Sequence, residues 1–583
     1  MKMLEIKDDF YIDKKPFKII SGAFHYFRTV PEYWRDRLEK LVNIGCNTVE
    51  TYIPWNFHEP VKGEFLWNGM HDICKFIETA KELGLYMIIR PSPYICAEWE
   101  FGGLPAWLLK DRNMRLRCSY HPYLDAVKKY YQALMPKLVP YQADRGGNII
   151  LMQIENEYGY YGNDKTYLEF LADVMRTEGI TVPLVTSDGP WSEAVFKSGM
   201  TKDTLATGNF GSGGKWQFEQ IKKFIGNDKP LMCMEFWNGW FDAWGEEHHR
   251  TSADKAAAEL DEILKYGSAN LYMFEGGTNF GFMNGRNSGN PIGDVTSYDY
   301  DAPLTEDGQI TEKYMLFKDI ISKYRSFDEI PLTACINRKS YGEIPCSGNV
   351  SLFSVLETIA EPIHSAYPLT MEEADQNYGY ILYRLNIEDN ETVNDIFIEN
   401  GADRILCCRN GKYAYTAFGD SLNEKHEFKE KQAGGVIDLL CENIGRENFG
   451  TGLENQRKGI SGGVKINDHR YYGFDIFSLP LDEKQLEMID FNKNGCSDGV
   501  PAFYRFVFNV AEAADTFLDT SRFGKGCAFI NGFNLGRFWD IGPQKRLYLP
   551  APLLKIGENT LIIFETEGKS SGSVFLKDTA DLG

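Results

Sequence analysis

The chain has 583 residues, 43% of them hydrophobic and 14% aromatic, with a formal net charge of −21. That length predicts roughly two to four domains, with enough apolar material for large cores. The acidic balance excludes nucleic acid and anionic membrane as partners and leaves a small neutral ligand.

In chain order, the opening "MKMLEIKDDFYIDKKPF" has no apolar core of the signal-peptide kind, so no secretion signal is expected. Eight apolar, β-branched runs then follow: "FKIISGAF" (17–24), "NTVETYIPW" (47–55), "LYMIIRPSPY" (85–94), "NIILMQIENE" (148–157), "PLVTSDG" (183–189), "ATGNFG" (206–211), "PLMCMEFW" (230–237) and "ANLYMFEGG" (269–277). The sixth has the weakest strand character. Helical patterns separate them. In "PEYWRDRLEKLVNIG" Trp34, Leu38, Leu41 and Val42 recur at helical spacing. "TSADKAAAELDEILKYG" predicts a helix opened by a Thr251/Asp254 capping box and closed at Gly267. Eight strands alternating with helices predict an α/β fold, a (β/α)8 barrel over residues 1–330.

Chemistry in such a barrel gathers at the C-terminal ends of its strands. There this chain places Tyr52, Cys96, Glu98, Asn156, Glu157, Glu235 and Tyr272. Beyond residue 330 the pattern changes to short alternating strands such as "GYILYRLNI", "YYGFDIFSL" and "GCAFINGFNLGRFW" between Gly, Asn and Asp turns. These predict a connector at 331–375 and two all-β sandwich-like modules, 376–490 and 491–583, with the break near 482–499. No run approaches the roughly 20 apolar residues of a membrane span. The twelve cysteines are scattered, with only Cys407 and Cys408 adjacent, and read as reduced thiols of a cytoplasmic protein. No histidine or cysteine spacing suits a metal, and no cofactor is expected.

Hydrolysis of a glycosidic bond needs one carboxylic acid to protonate the leaving oxygen and a second carboxylate to attack carbon or activate water. Glu157 ends the fourth run and Glu235 the seventh, three positions apart around an eight-stranded ring, so both reach toward one centre. Glu155 shares the parity of Glu157, and strand alternation alone does not choose between them. Three tryptophans, Trp237, Trp240 and Trp244, follow Glu235 and suit the C–H faces of a sugar or, equally, a core. "NGFNLGRFW" reads either as a sugar-binding patch through Arg537 and Trp539 or as an interface with the barrel.

"SGAFHYFR", "GCNTVETYIPWNFHEP", "RPSPYICAEWEFGGLPAWLL", "QIENEYG", "EFWNGWFDAWG", "YMFEGGTNFGFMNG" and "TSYDYDAPLTEDGQITEKY", in that order, resemble the β-galactosidases of glycoside hydrolase family 35. The match continues at "ENIGRENFG" and "GKGCAFINGFNLGRFWDIGPQ". The resemblance implies a barrel followed by jelly-roll, galactose-binding-like modules and retaining exo-β-galactosidase chemistry. It implies Glu157 as acid/base and Glu235 as nucleophile, leaving Glu155 a buried supporting carboxylate. Carried over, Tyr52, Cys96, Ala97, Glu98, Asn156, Tyr272, Tyr298 and Tyr300 match galactose-binding positions, Asn156 being the holder of the 2-hydroxyl. Cys96 has no histidine or lysine at its motif and reads as a packing contact. Two departures stand out: Gly146-Gly147-Asn148 where Gly-Gly-Pro is common, and Phe449 where many relatives carry tyrosine. Likeness to bacterial intracellular members implies a preference for galactose β1,3-linked to N-acetylhexosamine, with Trp240 and Trp244 overhanging the leaving group. The expected partner is a short oligosaccharide, and a homodimer is compatible with the chain. Competing expectations are a β-glucosidase or exo-glucosaminidase on the same barrel, and a non-catalytic carbohydrate-binding protein.

Overall fold

The structure, a computed structural model, describes residues 3–91, 93–334, 336–493 and 499–583. Eight parallel strands close into a barrel: β1 (Ile20–Phe24), β2 (Thr48–Tyr52), β3 (Tyr86–Arg90), β4 (Ile149–Gln153), β5 (Leu184–Asp188), β6 (Thr204–Asn209), β7 (Met232–Trp237) and β8 (Ser268–Glu275). They pair in sequence order, and β8 returns to β1. Each expected run supplies one strand, the weak sixth included. Strands buried on both faces read as near-continuous apolar runs, which is why these were visible. Leu4, Phe10 and Ile12 of an N-terminal meander pack with Ile88, Ile150, Val185 and Met234 and cover the barrel end opposite the chemistry.

The helix α1 (Trp34–Asn43) buries Trp34, Leu38 and Leu41 completely and Val42 in part. The helix α2 (Ala253–Tyr266) differs from expectation at its start. Its N-cap is Ser252, whose hydroxyl accepts from the Lys255 amide, while the Thr251 amide donates to Asp301 at 2.8 Å. Thr251 serves the neighbouring loop instead of the helix, a tertiary use that local spacing does not reveal.

Residues 363–479 form a six-stranded and a four-stranded antiparallel sheet around one apolar core. The last sheet has eight strands. The stretch expected as a connector holds the strand Gly342–Ser351, which lies in that last sheet between Ala502–Val510 and Ser573–Lys577. Its partners are more than 150 residues away in sequence, and Gly342, Pro345 and Gly348 spoil its alternation, so no local pattern marked it. A further apolar cluster joins the two modules through Leu382, Leu440, Phe477, Phe503, Phe529 and Phe564. Part of the expected break, residues 494–498, lies outside the described residues.

Candidate active site

After β4 the backbone leaves extended geometry, with Glu155 at φ 54° and Glu157 at φ 46°. Side chains rarely hold this left-handed region without support. The two glutamates therefore diverge despite their equal parity. Glu155 is 1% exposed and meets Arg117 through both oxygens, at 3.0 and 2.8 Å; it also accepts from Tyr167 and from the Asn156 amide. All its capacity is spent on the fold. The Glu157 amide instead donates to the Ser187 carbonyl of β5, which places its side chain on the wall of a cavity of about 380 Å³ at the barrel mouth.

Across that cavity, Glu235 extends from β7 and is 5% exposed. One oxygen accepts from Tyr52 at 2.8 Å and from Arg90 at 2.7 Å; the other accepts from the Trp237 indole at 3.1 Å. Arg90, fully buried at the end of β3, also donates to the Asn156 amide oxygen at 2.6 Å. One guanidinium thus orients both a carboxylate and the amide beside the second carboxylate. Among the described residues Glu157 has one side-chain donor, Asn209, at 3.2 Å. Burial and the charge of Glu235 push its carboxyl up to about 8.

Cys96, Ala97 and Glu98 form a left-handed run, with φ between 48 and 59°, and line the cavity floor. Burial and the carboxylates of Glu98 and Glu157 push the Cys96 thiol well up, so it stays neutral and is no nucleophile. Glu98 accepts from Tyr298, and burial raises its carboxyl to about 7 against that bond and the nearby Arg28. Asn156, Trp237, Trp240, Tyr272 and Tyr300 are on the cavity wall as well. Tyr52 and Tyr298 are not; they stand behind it and act through Glu235 and Glu98.

Trp244, unlike Tyr52 and Tyr298, is off the cavity wall without bonding a carboxylate that lines it. It is 1% exposed, with its amide tied to the Gly293 carbonyl at 3.1 Å, and it is a core residue. Three positions after Phe241, the loop that follows β7 has already turned inward. Residue reading missed Arg90, Asn209, Tyr160, Trp191, Phe241 and Asn287. Arg90 had a signal, a charge closing the apolar run "LYMIIR". Loop residues such as Trp191 and Asn287 had none. Phe449 arrives from the first all-β module and completes the wall near Tyr160. Arg537 is 1% exposed and bonds Asn284 and the Asn443 carbonyl, which makes "NGFNLGRFW" an interface at that residue rather than a sugar patch.

A larger groove of about 660 Å³ lies between Trp107 and the 372–377 segment. Its most buried carboxylate, Glu372, is already engaged by Arg446, so the facing carboxylates select the smaller cavity. Among the described residues no group of three or more His, Cys, Asp or Glu is placed to hold a metal ion.

The sequence profile of glycosyl hydrolases family 35 matches residues 9–324, the whole barrel. The chain belongs to glycosyl hydrolase family 35. Profiles described as the β-galactosidase first all-β domain and galactose-binding domain match 368–480 and 501–559. Human β-galactosidase-1-like protein 2 is 38% identical over 99% of this chain and 91% of its own length. Human β-galactosidase is 36% identical over 97% and 88%, and β-galactosidase 17 of Arabidopsis thaliana 36% over 96% and 87%. This family 35 protein is a glycoside hydrolase of the β-galactosidase type. Among its described residues no helix is long and apolar enough to cross a membrane.

Proposed function

We propose that the protein is a retaining exo-β-galactosidase in which Glu235 is the nucleophile and Glu157 the acid/base. The reading rests on the unequal surroundings of two carboxylates on one cavity. Glu235 is met by three donors, one of them a guanidinium, as suits a carboxylate that must stay ionised and aimed. Glu157 has one long amide bond and a raised affinity for its proton, as suits a general acid. Glu235 attacks the anomeric carbon from the α face while Glu157 gives its proton to the departing oxygen. Ester formation removes the charge of Glu235, which lets Glu157 lose affinity for a proton and act as base toward water. This double displacement requires the two carboxyl groups about 5–5.5 Å apart. Arg90 holds the Asn156 oxygen, so the amide NH2 is the end left to meet the sugar's 2-hydroxyl.

The small, floored cavity favours removal of one terminal galactose. Trp240, 40% exposed, and Phe449, 37% exposed, are half-open rings on the cavity wall on which a second sugar could stack, and the proposal extends to β1,3-linked N-acetylhexosamine as that second sugar. The buried Cys46, Cys96, Cys233, Cys407, Cys408, Cys441 and Cys527 are free thiols, in keeping with a cytoplasmic setting. Glu235→Gly with added azide tests the assignment. Turnover should vanish and return as an α-galactosyl azide, because azide enters from the vacated face. A β-azide, or α-azide rescue at Glu157 instead, overturns it.

A further inference from the structure

The Cys96–Glu98 turn needs an outside hold. Left-handed geometry continues beyond it at Phe101 (φ 57°) and Gly102 (φ 57°), so the whole segment is costly unless its surroundings over-determine it. The barrel holds it through neutral bonds to the backbone and one cation: Arg28 donates to the Ala97 carbonyl, the Gly285 amide to the Glu98 carbonyl, the Glu100 amide to the Met283 carbonyl and Asn56 to the Glu100 carbonyl. A buried ion pair from outside the barrel adds to this at Glu100, 3% exposed and absent from the cavity wall. Its carboxylate accepts from the Arg446 amide at 2.6 Å and from the Arg446 guanidinium. Arg446 is fully buried and belongs to the first all-β module. There it is anchored on Glu372 at 2.6 Å and on the Asn377 carbonyl at 2.6 Å. Two more bonds stitch the same seam, Tyr94 to the Asn448 carbonyl and the Asn448 amide to Asn287 at 3.0 Å.

We propose that the first all-β module positions the sugar-binding floor, with Arg446, clamped between Glu100 and Glu372, fixing the Cys96–Ala97–Glu98 turn from outside the barrel. The assignment of that floor to galactose rests on the function proposed above. Arg446 and Glu100 touch neither substrate nor the reacting carboxylates; they are positioning residues. A floor that meets the sugar alike in ground and transition states, once loosened, would raise KM and leave kcat little changed.

Glu100→Gln keeps the shape and removes the charge, while Arg446→Lys keeps a cation that cannot fork to both carboxylates. In the ligand-free full-length protein, amide exchange across 94–103 should quicken in both variants while exchange across the barrel strands stays at the wild-type rate. The KM for nitrophenyl β-galactoside and the inhibition constant of free galactose should rise together, about tenfold, the loss of one charged buried hydrogen bond. Unchanged exchange overturns the proposal, and so does quickened exchange with wild-type KM and galactose inhibition. If Glu100→Gln does not fold, Arg446→Lys decides by the same readouts. A wild-type protein that releases no galactose sinks the proposed reaction, whereas the exchange result still judges the clamp.

Discussion

Glu157 binds its proton more tightly in the folded chain than in the unfolded one. Stability therefore falls as pH climbs from its unfolded value toward about 8, because the unfolded chain releases a proton that the folded state still holds. Glu157→Gln removes that linkage, so its melting temperature relative to wild type should rise steadily across this window. A constant difference between the two proteins would refute the shift. In the proposed mechanism the same proton serves catalysis, and activity on unactivated galactosides should then decline as pH passes about 8. With the acid gone, Glu157→Gln should lose roughly 10²–10⁴ in rate on a disaccharide. It should lose much less on a nitrophenyl galactoside, whose leaving group needs little protonation; equal losses would mean Glu157 is not the acid. Trp240 lines the cavity and is the ring proposed to meet the second sugar. Trp240→Ala should cost on the order of 1–3 kcal/mol in disaccharide kcat/KM and narrow the ratio of β1,3- to β1,4-linked rates. A wild-type ratio would place linkage choice elsewhere. Trp244→Ala should leave the ratio alone and lower stability by about 3–5 kcal/mol, since that ring is core.

Among elements, the loop after β8 depends on backbones that nearly touch. A Cβ on Gly276 would sit 1.5 Å from the Tyr298 carbonyl oxygen, and one on Gly239 1.7 Å from that of Tyr300. These two glycines let the "SYDYDAP" segment fold down so that Tyr300 reaches the cavity and Tyr298 reaches Glu98. Gly276→Ala should displace the segment, cost roughly 1–3 kcal/mol by overpacking, and raise the KM for galactosides. Calorimetry and steady-state kinetics together check this, and a fully active, equally stable variant would show that the segment yields freely. Why two glycines follow the strands was invisible in sequence, because their partners lie more than 20 residues further on.

Across the whole molecule, the all-β modules are built into the barrel. Arg446–Glu100 crosses from the first module to the barrel, and Lys525–Glu442 crosses from the second module to the first. Breaking one such buried pair by removing a partner costs roughly 3–5 kcal/mol. A chain ended at residue 330 would bare Glu100 and lose Phe449 from the cavity wall. Such a barrel should be poorly folded and without galactosidase activity, as circular dichroism and a turnover assay would report. Wild-type kcat/KM from the truncated chain would make the modules dispensable.

The eight barrel strands were legible because burial on both faces demands apolar runs, and the family motifs at their ends carried Glu157, Glu235 and most of the cavity wall. These are local properties, written where the residues stand. The separation of Glu155 from Glu157 was decided by a left-handed backbone and by Arg117, neither of which alternation encodes. Trp240 and Trp244 look alike in sequence, yet only the fold of their loop puts one in the cavity and the other in the core. The strand Gly342–Ser351 and the arrival of Phe449 depend on pairing between distant segments. Sequence alone settled composition, periodicity and motif; which residues face one another across a cavity is set by long-range packing, and only the tertiary structure decides it.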